Sequence, residues 1–168
     1  RAIIFDCKTG HIVASYEKTV RIAQNLSKTG TISDEAITRV IQAYDALPPS
    51  FKAYPINAVT TQALRLAKNS QEVLQKIKIK TGIEFEVIDG HTEGVLTAKA
   101  VKFRLKKLQL KSDSFVVVDI GGGSTEVIFC NDNSVEVKSF PIGIVTATEN
   151  GLDSLTDEFK KVKVFCKD

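Results

Sequence analysis

The sequence predicts an α/β protein organised as two related domains. Segments rich in β-branched residues alternate along the chain with segments whose apolar residues recur at helical spacing. A short polar stretch at residues 111–114 separates this alternating region from a glycine-rich hairpin. We therefore expect one domain over residues 1–112, and over residues 113–168 the start of a second domain whose sheet is incomplete.

The first quarter of the chain predicts two strands and a loop. Residues 2–5 and 12–22 are rich in Ile, Val and aromatic side chains, which favour β-structure. Residues 6–10 end in Thr-Gly and predict the turn between these strands. Residues 24–30 carry no helical or alternating pattern and are expected to form a loop.

A helix is predicted after Ser33, whose hydroxyl is suited to cap its first turn. Pro48 and Pro49 are expected to end it, because proline cannot continue a helical hydrogen-bond ladder. The apolar positions at helical spacing are Ile37, Val40, Ile41, Tyr44 and Leu47.

The middle of the chain repeats the strand–helix pattern twice. Residues 56–60 predict a short buried strand, and residues 64–80 a helix that ends at Gly82. Residues 84–88 predict the next strand, and residues 94–108 the next helix.

A glycine-rich hairpin and a final helix complete the prediction. The run VVVDIGGGSTEVIF at residues 116–129 places three glycines between two apolar strands. Pro141, Ile142 and Gly143 predict a turn, and residues 152–166 a helix.

The hairpin turn has the features of a phosphate site. Glycines let backbone N–H groups approach an anion without a Cβ in the way, and successive N–H groups form an anion-binding concavity. Asp119 and Glu126 flank the turn, and hard carboxylates beside a phosphate site suit a cation such as Mg²⁺.

Two common phosphate-binding motifs are excluded, and one alternative without a binding function stays open. No Lys follows the glycines as in a P-loop, and the residues after them predict a strand where a Rossmann turn opens a helix. The alternative is a glycine-rich hairpin turn that binds no ligand.

Composition predicts an ordinary globular protein of the reducing cytoplasm. The 168 residues include 43% hydrophobic and 26% charged residues, with no apolar run long enough for a membrane helix and no signal peptide. The net charge of +3 is too small to indicate nucleic-acid binding. The three cysteines, Cys7, Cys130 and Cys166, lack metal-ligand spacing and are expected to be free thiols.

The sequence contains no Met, and its first residues, RAIIF, are typical of the interior of a β-structure. We expect that the chain lacks its original N-terminus, or that methionines are missing from the sequence.

Four segments of the chain resemble motifs of one family. They are TTQALR at residues 60–65, TGIEFEVIDGHTEG at residues 81–94, VDIGGGSTE at residues 118–126 and SFPIG at residues 139–143. Their order and spacing are similar to the N-terminal half of the exopolyphosphatase / guanosine pentaphosphate phosphohydrolase (Ppx/GppA) family. The glycine motif alone is shared across the actin-like superfamily, which also holds sugar kinases and chaperone ATPases.

The resemblance implies an actin-like, ribonuclease H-like fold of two domains, each a mixed sheet with flanking helices. It implies that residues 1–112 lack the first strand and phosphate loop of the first domain. The family motif D-x-G-S-N-S should stand immediately before Arg1 and is absent.

The resemblance also implies roles for individual residues. Glu93 matches the catalytic glutamate thought to orient the attacking water, which agrees with the chemistry of phosphoanhydride hydrolysis. Asp119 and Glu126 match the acidic residues linked to Mg²⁺ or another divalent cation. The implied phosphate-binding residues are Gly121, Gly122, Gly123, Ser124, Arg65 and Thr60.

Each of these residues also has a structural interpretation. Glu93 can serve as a first-turn carboxylate that stabilises the helix dipole. Arg65 can be a surface cation, and Thr60 can simply end a strand. The segments also depart from the family pattern, since Gln62 replaces a usual serine, Val95 a usual arginine, and His91 and Thr92 often acidic or amide residues.

Three functions follow as hypotheses. The first is a cytoplasmic, Mg²⁺-dependent phosphohydrolase that releases terminal phosphate from polyphosphate or guanosine pentaphosphate. The second is an actin-like ATPase or phosphotransferase, and the third a non-catalytic sensor of an alarmone nucleotide. We expect no membrane or nucleic-acid partner, and homodimer formation is possible.

Overall fold

The computed structural model describes residues 1–111, 113–151 and 156–166 as an α/β fold, as predicted. The strands are β1 (Ala2–Asp6), β2 (His11–Tyr16), β3 (Ala58–Thr60), β4 (Phe85–Val87), β5 (Ser114–Ile120), β6 (Thr125–Asn131) and β7 (Val135–Phe140). The helices are α1 (Leu26–Thr29), α2 (Asp34–Asp45), α3 (Pro49–Lys52), α4 (Gln62–Leu66), α5 (Ser70–Thr81), α6 (Gly90–Lys107), α7 (Ile144–Asn150) and α8 (Thr156–Phe165).

The described strands form three sheets that contain both parallel and antiparallel pairs. Strands β1 and β2 pair antiparallel, β3 and β4 pair parallel, and β5, β6 and β7 form an antiparallel sheet in that order. A cavity of about 1010 Å³, lined by β1, β3 and apolar side chains of α2 and α5, lies between the two smaller sheets. The three-stranded sheet and α6 form the part of the fold that carries the glycine turn.

Several predicted boundaries are confirmed by local hydrogen bonds. The Ser33 hydroxyl accepts a hydrogen bond from the Ala36 N–H and caps α2. Gly82 ends α5 with a φ of 73°, and its N–H donates to the Lys78 carbonyl at 2.8 Å. The β5–β6 hairpin also forms as predicted, with Ile120 opposite Thr125.

Strand β2 is shorter than predicted, since it ends at Tyr16 and not at Ile22. Arg21 has a φ of 47°, which is incompatible with a continuous strand. The Arg39 guanidinium on α2 donates to the carbonyls of Val20 and Arg21. A side chain from a helix therefore donates to carbonyls that a neighbouring strand would otherwise bind.

Two further predictions were wrong because the chain around Gly30 contacts the segment before α5. The predicted loop at residues 24–30 contains α1, and the predicted helix at residues 64–80 is divided into α4 and α5. The Asn69 amide group accepts from the Ile32 N–H and donates to the Ile32 carbonyl, each at 2.9 Å. The Lys68 N–H donates to the Gly30 carbonyl at 2.9 Å. In a continuous helix the Lys68 N–H would instead donate to the Leu64 carbonyl, so its bond to Gly30 replaces a helical bond.

Three other elements differ from prediction in position or burial. Strand β3 starts at Ala58, and Val59 is half exposed where a buried strand was predicted. Helix α6 begins at Gly90, four residues earlier than expected, because Asp89 caps it by accepting from the Thr92 N–H at 2.7 Å. The helix predicted at residues 152–166 is seen as α8, with residues 152–155 outside the described residues.

Helix α6 packs flat against the three-stranded sheet. A Cβ at Gly94 would lie 2.3 Å from Val137 Cγ1, and one at Gly90 would lie 2.5 Å from Ser139 Cβ. Further along the helix, Ala98 is fully buried in a cluster with Ile128 and Cys130. Two glycines therefore let the first turns of α6 approach β7 closely.

Candidate active site

The polar end of the sheet places two carboxylates side by side beneath α6. Asp119 on β5 lies opposite Glu126 on β6, which lies opposite Ser139 on β7. Directly opposed residues of antiparallel strands point to the same face, so all three side chains share the face on which α6 packs. Glu126 is only 1% exposed and accepts a hydrogen bond from the Ser139 hydroxyl at 2.7 Å. Asp119 accepts one from Thr97 of α6 at 3.0 Å.

Glu93 lies in the first turn of α6 and forms an ion pair with Arg65 of α4. Both guanidinium Nη atoms approach Glu93 Oε2, at 3.2 and 3.3 Å. The two side chains are 22% and 18% exposed, so the pair is largely shielded from solvent. The ion pair joins two predicted residues that lie 28 positions apart in the sequence.

The surroundings of Glu93 raise the pKa of its carboxyl group above the ordinary value of 4.5. The main cause is partial burial, which disfavours the charged form, and the second is the like charge of Glu126. Arg65 opposes both effects and lowers the pKa. A carboxylate of raised basicity beside a cation is suited to accept a proton from water.

The glycine turn leaves several backbone donors without a protein acceptor. The Gly121 N–H donates to the Ser124 carbonyl at 2.9 Å. Within the described residues, the N–H groups of Gly122, Gly123 and Ser124 form no hydrogen bond. Gly122 is exposed, whereas Ser124 is 3% exposed. Such a row of free N–H groups can bind an anion that approaches from the side of Gly122.

Helix α7 begins directly against this turn. The N–H groups of Ile144 and Val145 donate to the carbonyls of Gly121 and Gly122 at 3.0 and 2.8 Å. A Cβ at Gly143 would lie 2.4 Å from backbone atoms of Gly122, so only glycine fits there. Residue 143 thus holds the turn in place through the first turn of α7.

Two of the predicted phosphate ligands, Arg65 and Thr60, form their hydrogen bonds with groups outside the glycine turn. The Arg65 guanidinium donates to Glu93, to the Ile88 carbonyl and to Gln62 Oε1. Thr60 is the last residue of β3, and its carbonyl accepts from the Ile88 N–H at 3.0 Å. Their binding to phosphate stays a prediction.

No role was predicted from the sequence for three residues that complete the site. Thr97 and Ser139 each hold one carboxylate, and Gln62 lies between Arg65 and Gly123. The signal for Thr97 was its spacing of four residues from Glu93, which places both at neighbouring positions of one helix. Gln62 was visible only as a departure from the family pattern.

The carboxylates of Asp119 and Glu126 fit a divalent cation by their chemistry. Asp119 Oδ1 and Glu126 Oε2 accept no hydrogen bond from any described residue. No cluster of three or more His, Cys, Asp or Glu side chains suited to a metal occurs among residues 1–111, 113–151 and 156–166. Mg²⁺ is commonly held by one or two carboxylates together with water and substrate phosphates. The pair meets that requirement.

Replacing Gly94 by Ala is expected to destabilise the protein by lifting α6 away from β7. Overpacking costs about 1–3 kcal/mol, and the better helix propensity of Ala returns at most about 1 kcal/mol. Urea unfolding of G94A, V137A and the double variant measures the effect. Because V137A removes the methyl groups that a new Cβ would meet, the double variant should recover part of the loss. If the double variant lost as much unfolding free energy as the two single variants together, the close contact would be contradicted.

Comparison with known proteins identifies relatives over most of the chain. The model of the Ppx/GppA phosphatase family matches residues 3–167. Exopolyphosphatase 1 of Mycobacterium tuberculosis is 29% identical over 144 residues, which cover 83% of this chain and 41% of that protein.

Solved structures agree with this result. The crystal structure of the Aquifex aeolicus Ppx/GppA family member is 34% identical with a TM-score of 0.66, and the match covers 92% of this chain and 52% of that one. An exopolyphosphatase from Cytophaga hutchinsonii gives a TM-score of 0.73 at 24% identity, over 89% of this chain and 48% of that one, which shows the fold alone. The predicted actin-like fold is confirmed, and the chain spans about half the length of these relatives or less. No helix in the described part of the chain is long and apolar enough to cross a membrane.

Proposed function

The chain belongs to the Ppx/GppA phosphatase family, and on this premise we propose that it forms part of a phosphohydrolase. The proposed reaction releases the terminal phosphate from inorganic polyphosphate or from guanosine pentaphosphate. The observation that carries the proposal is Glu93, a carboxylate with a raised pKa next to the Asp119–Glu126 pair. The free N–H groups at Gly122, Gly123 and Ser124 supply the anion site that such a carboxylate needs nearby.

The chain's own residues account for three parts of the reaction. The N–H groups of the glycine turn bind oxygens of a phosphate group and hold it in place. Glu93 accepts a proton from a water molecule and orients it toward the phosphorus atom. Arg65 keeps the carboxylate of Glu93 in position through its two Nη atoms. Thr60 and Arg65 are proposed as further phosphate ligands.

Asp119 and Glu126 are proposed to hold Mg²⁺ or another divalent cation. When bound, the cation neutralises negative charge on the phosphate oxygens. Thr97 and Ser139 each donate to one oxygen of these carboxylates, so Asp119 Oδ1 and Glu126 Oε2 would be available to hold the cation. Glu126 is 1% exposed and forms no ion pair with a cationic side chain among the described residues, so a cation would also relieve its buried charge.

The proposal is tested by phosphate release from long-chain polyphosphate and from guanosine pentaphosphate, each with Mg²⁺ and with a chelator, using the full-length protein. We expect release from at least one substrate and its loss in the chelator. Release from polyphosphate alone would identify an exopolyphosphatase. No release from either, with guanosine pentaphosphate still bound, would overturn the proposal and favour a non-catalytic sensor.

The cysteines bear on the compartment in which the protein acts. The described cysteines are all free thiols, which supports a reducing compartment such as the cytoplasm. The division at residues 112 and 113, the homodimer and the absence of a nucleic-acid partner stay predictions.

A further inference from the structure

Gln62 connects the glycine turn to the Arg65–Glu93 pair. It is the first residue of α4, and its Oε1 accepts a hydrogen bond from Arg65 Nη2 at 2.9 Å. Its Cγ lies 2.9 Å, and its Cβ 3.4 Å, from the position that a Cβ on Gly123 would occupy. One side chain therefore contacts the proposed phosphate site with its stem and the proposed catalytic pair with its amide.

The hydrogen bonds of Arg65 show why this contact matters. Arg65 Nη1 is held by the Ile88 carbonyl at 2.6 Å, whereas both Nη atoms reach Glu93 only at 3.2 and 3.3 Å. The shortest bond of Nη2 is the one to Gln62. Ile88 and Gln62 therefore set the plane of the guanidinium. Glu93 then pairs with an Arg65 side chain whose orientation these two bonds determine.

The stem of Gln62 also determines how the glycine turn is reached. Its carbon atoms cover Gly123, which is partly buried, while Gly122 is exposed. A phosphate group must approach the free N–H groups from the side of Gly122. The residue thus limits the space beside the turn as well as the movement of Arg65.

We propose that Gln62 is a positioning residue, which holds Arg65 against Glu93 and closes the glycine turn on the side of Gly123. Its catalytic consequence rests on the proposed phosphohydrolase function. The two roles involve different atoms, because the amide oxygen binds Arg65 and the carbon stem covers Gly123. Substitutions can therefore separate them.

The first test measures rotation of the Arg65 guanidinium about its Cζ–Nη2 bond by NMR in the full-length protein without substrate. Q62M keeps an unbranched stem against Gly123 but has no strong acceptor, so we expect about tenfold faster rotation than in the parent. Q62E keeps both the stem and the acceptor and should restore slow rotation. Parent-like rotation in Q62M would overturn the proposal, and Q62S supplies the same comparison if Q62M does not fold.

The second test separates kcat from KM for the substrate that the protein hydrolyses. Q62M should lower kcat about tenfold and leave KM within about twofold of the parent, because the stem still covers Gly123. Q62S should lower kcat and also change KM. A changed KM with parent-like kcat in Q62M would contradict the positioning role. If the parent releases no phosphate, the proposed function fails, whereas the rotation of Arg65 still decides the role of Gln62.

Discussion

Replacing Glu93 by Gln is expected to reduce kcat for phosphate release about 1000-fold, because the amide cannot accept a proton from water. Gln keeps the size of the side chain and one oxygen that can bind Arg65, so the fold and KM should change little. The measurement is phosphate release by E93Q and parent with Mg²⁺, with each substrate at saturation. E136Q, which removes an exposed charge from β7 on the face away from α6, is the matched control and should resemble the parent.

The pH profile gives an independent check on Glu93. Its carboxylate must be ionised to accept a proton, so kcat/KM should rise with pH through the pKa of Glu93. That midpoint should lie above the ordinary value of 4.5, since burial and the charge of Glu126 raise the pKa of Glu93. E93Q should lack this limb of the profile. Parent-like activity in E93Q would remove Glu93 from the catalytic role.

Replacing Gly143 by Ala is expected to destabilise the protein by about 3 kcal/mol, because the new Cβ would overlap backbone atoms of the glycine turn. It would meet the carbonyl carbon and oxygen of Gly122 at 2.4 Å and the Gly123 nitrogen at 2.5 Å. Relief requires α7 to move away, which breaks its hydrogen bonds to the turn at Gly121 and Gly122. Urea unfolding measures the loss of stability.

G122A provides the matched control for G143A, because Gly122 lies on the other side of the contact that G143A disturbs. A Cβ at Gly122 would meet only Val145 Cγ2, at an ordinary 3.6 Å. We expect G122A to unfold within about 1 kcal/mol of the parent. Equal destabilisation by the two substitutions would show that loss of glycine flexibility, and not the overlap with Gly122, causes the effect.

The elements predicted well from the sequence depend on neighbours along the chain. Helix α2 begins after Ser33 and α5 ends at Gly82 because a cap requires only one side chain or one left-handed residue. The β5–β6 hairpin follows from two apolar strands and the glycines between them. Short motifs, among them the glycine turn, also carried the resemblance to the Ppx/GppA family, which is confirmed.

The elements predicted wrongly depend on contacts that are distant in sequence. Strand β2 stops at Tyr16 because Arg39 binds carbonyls beyond it, and α4 and α5 separate because Asn69 pairs with Ile32. Apolar periodicity favoured a longer strand and a longer helix in these segments. A side chain that competes for backbone groups from another element leaves no signal in the local pattern.

The sequence by itself determined the family and the actin-like fold, and it predicted the candidate site residues other than Thr97, Ser139 and Gln62, because these follow from short motifs and their order. Only the tertiary structure decided that Arg65 contacts Glu93, that Asp119 and Glu126 share the face beneath α6, and that Gln62 covers Gly123. The physical reason is that strand register places Asp119 opposite Glu126, and the close contacts at Gly90 and Gly94 hold α6, which carries Glu93, against β7. A motif defines which groups are present, and packing between distant segments determines which of them meet.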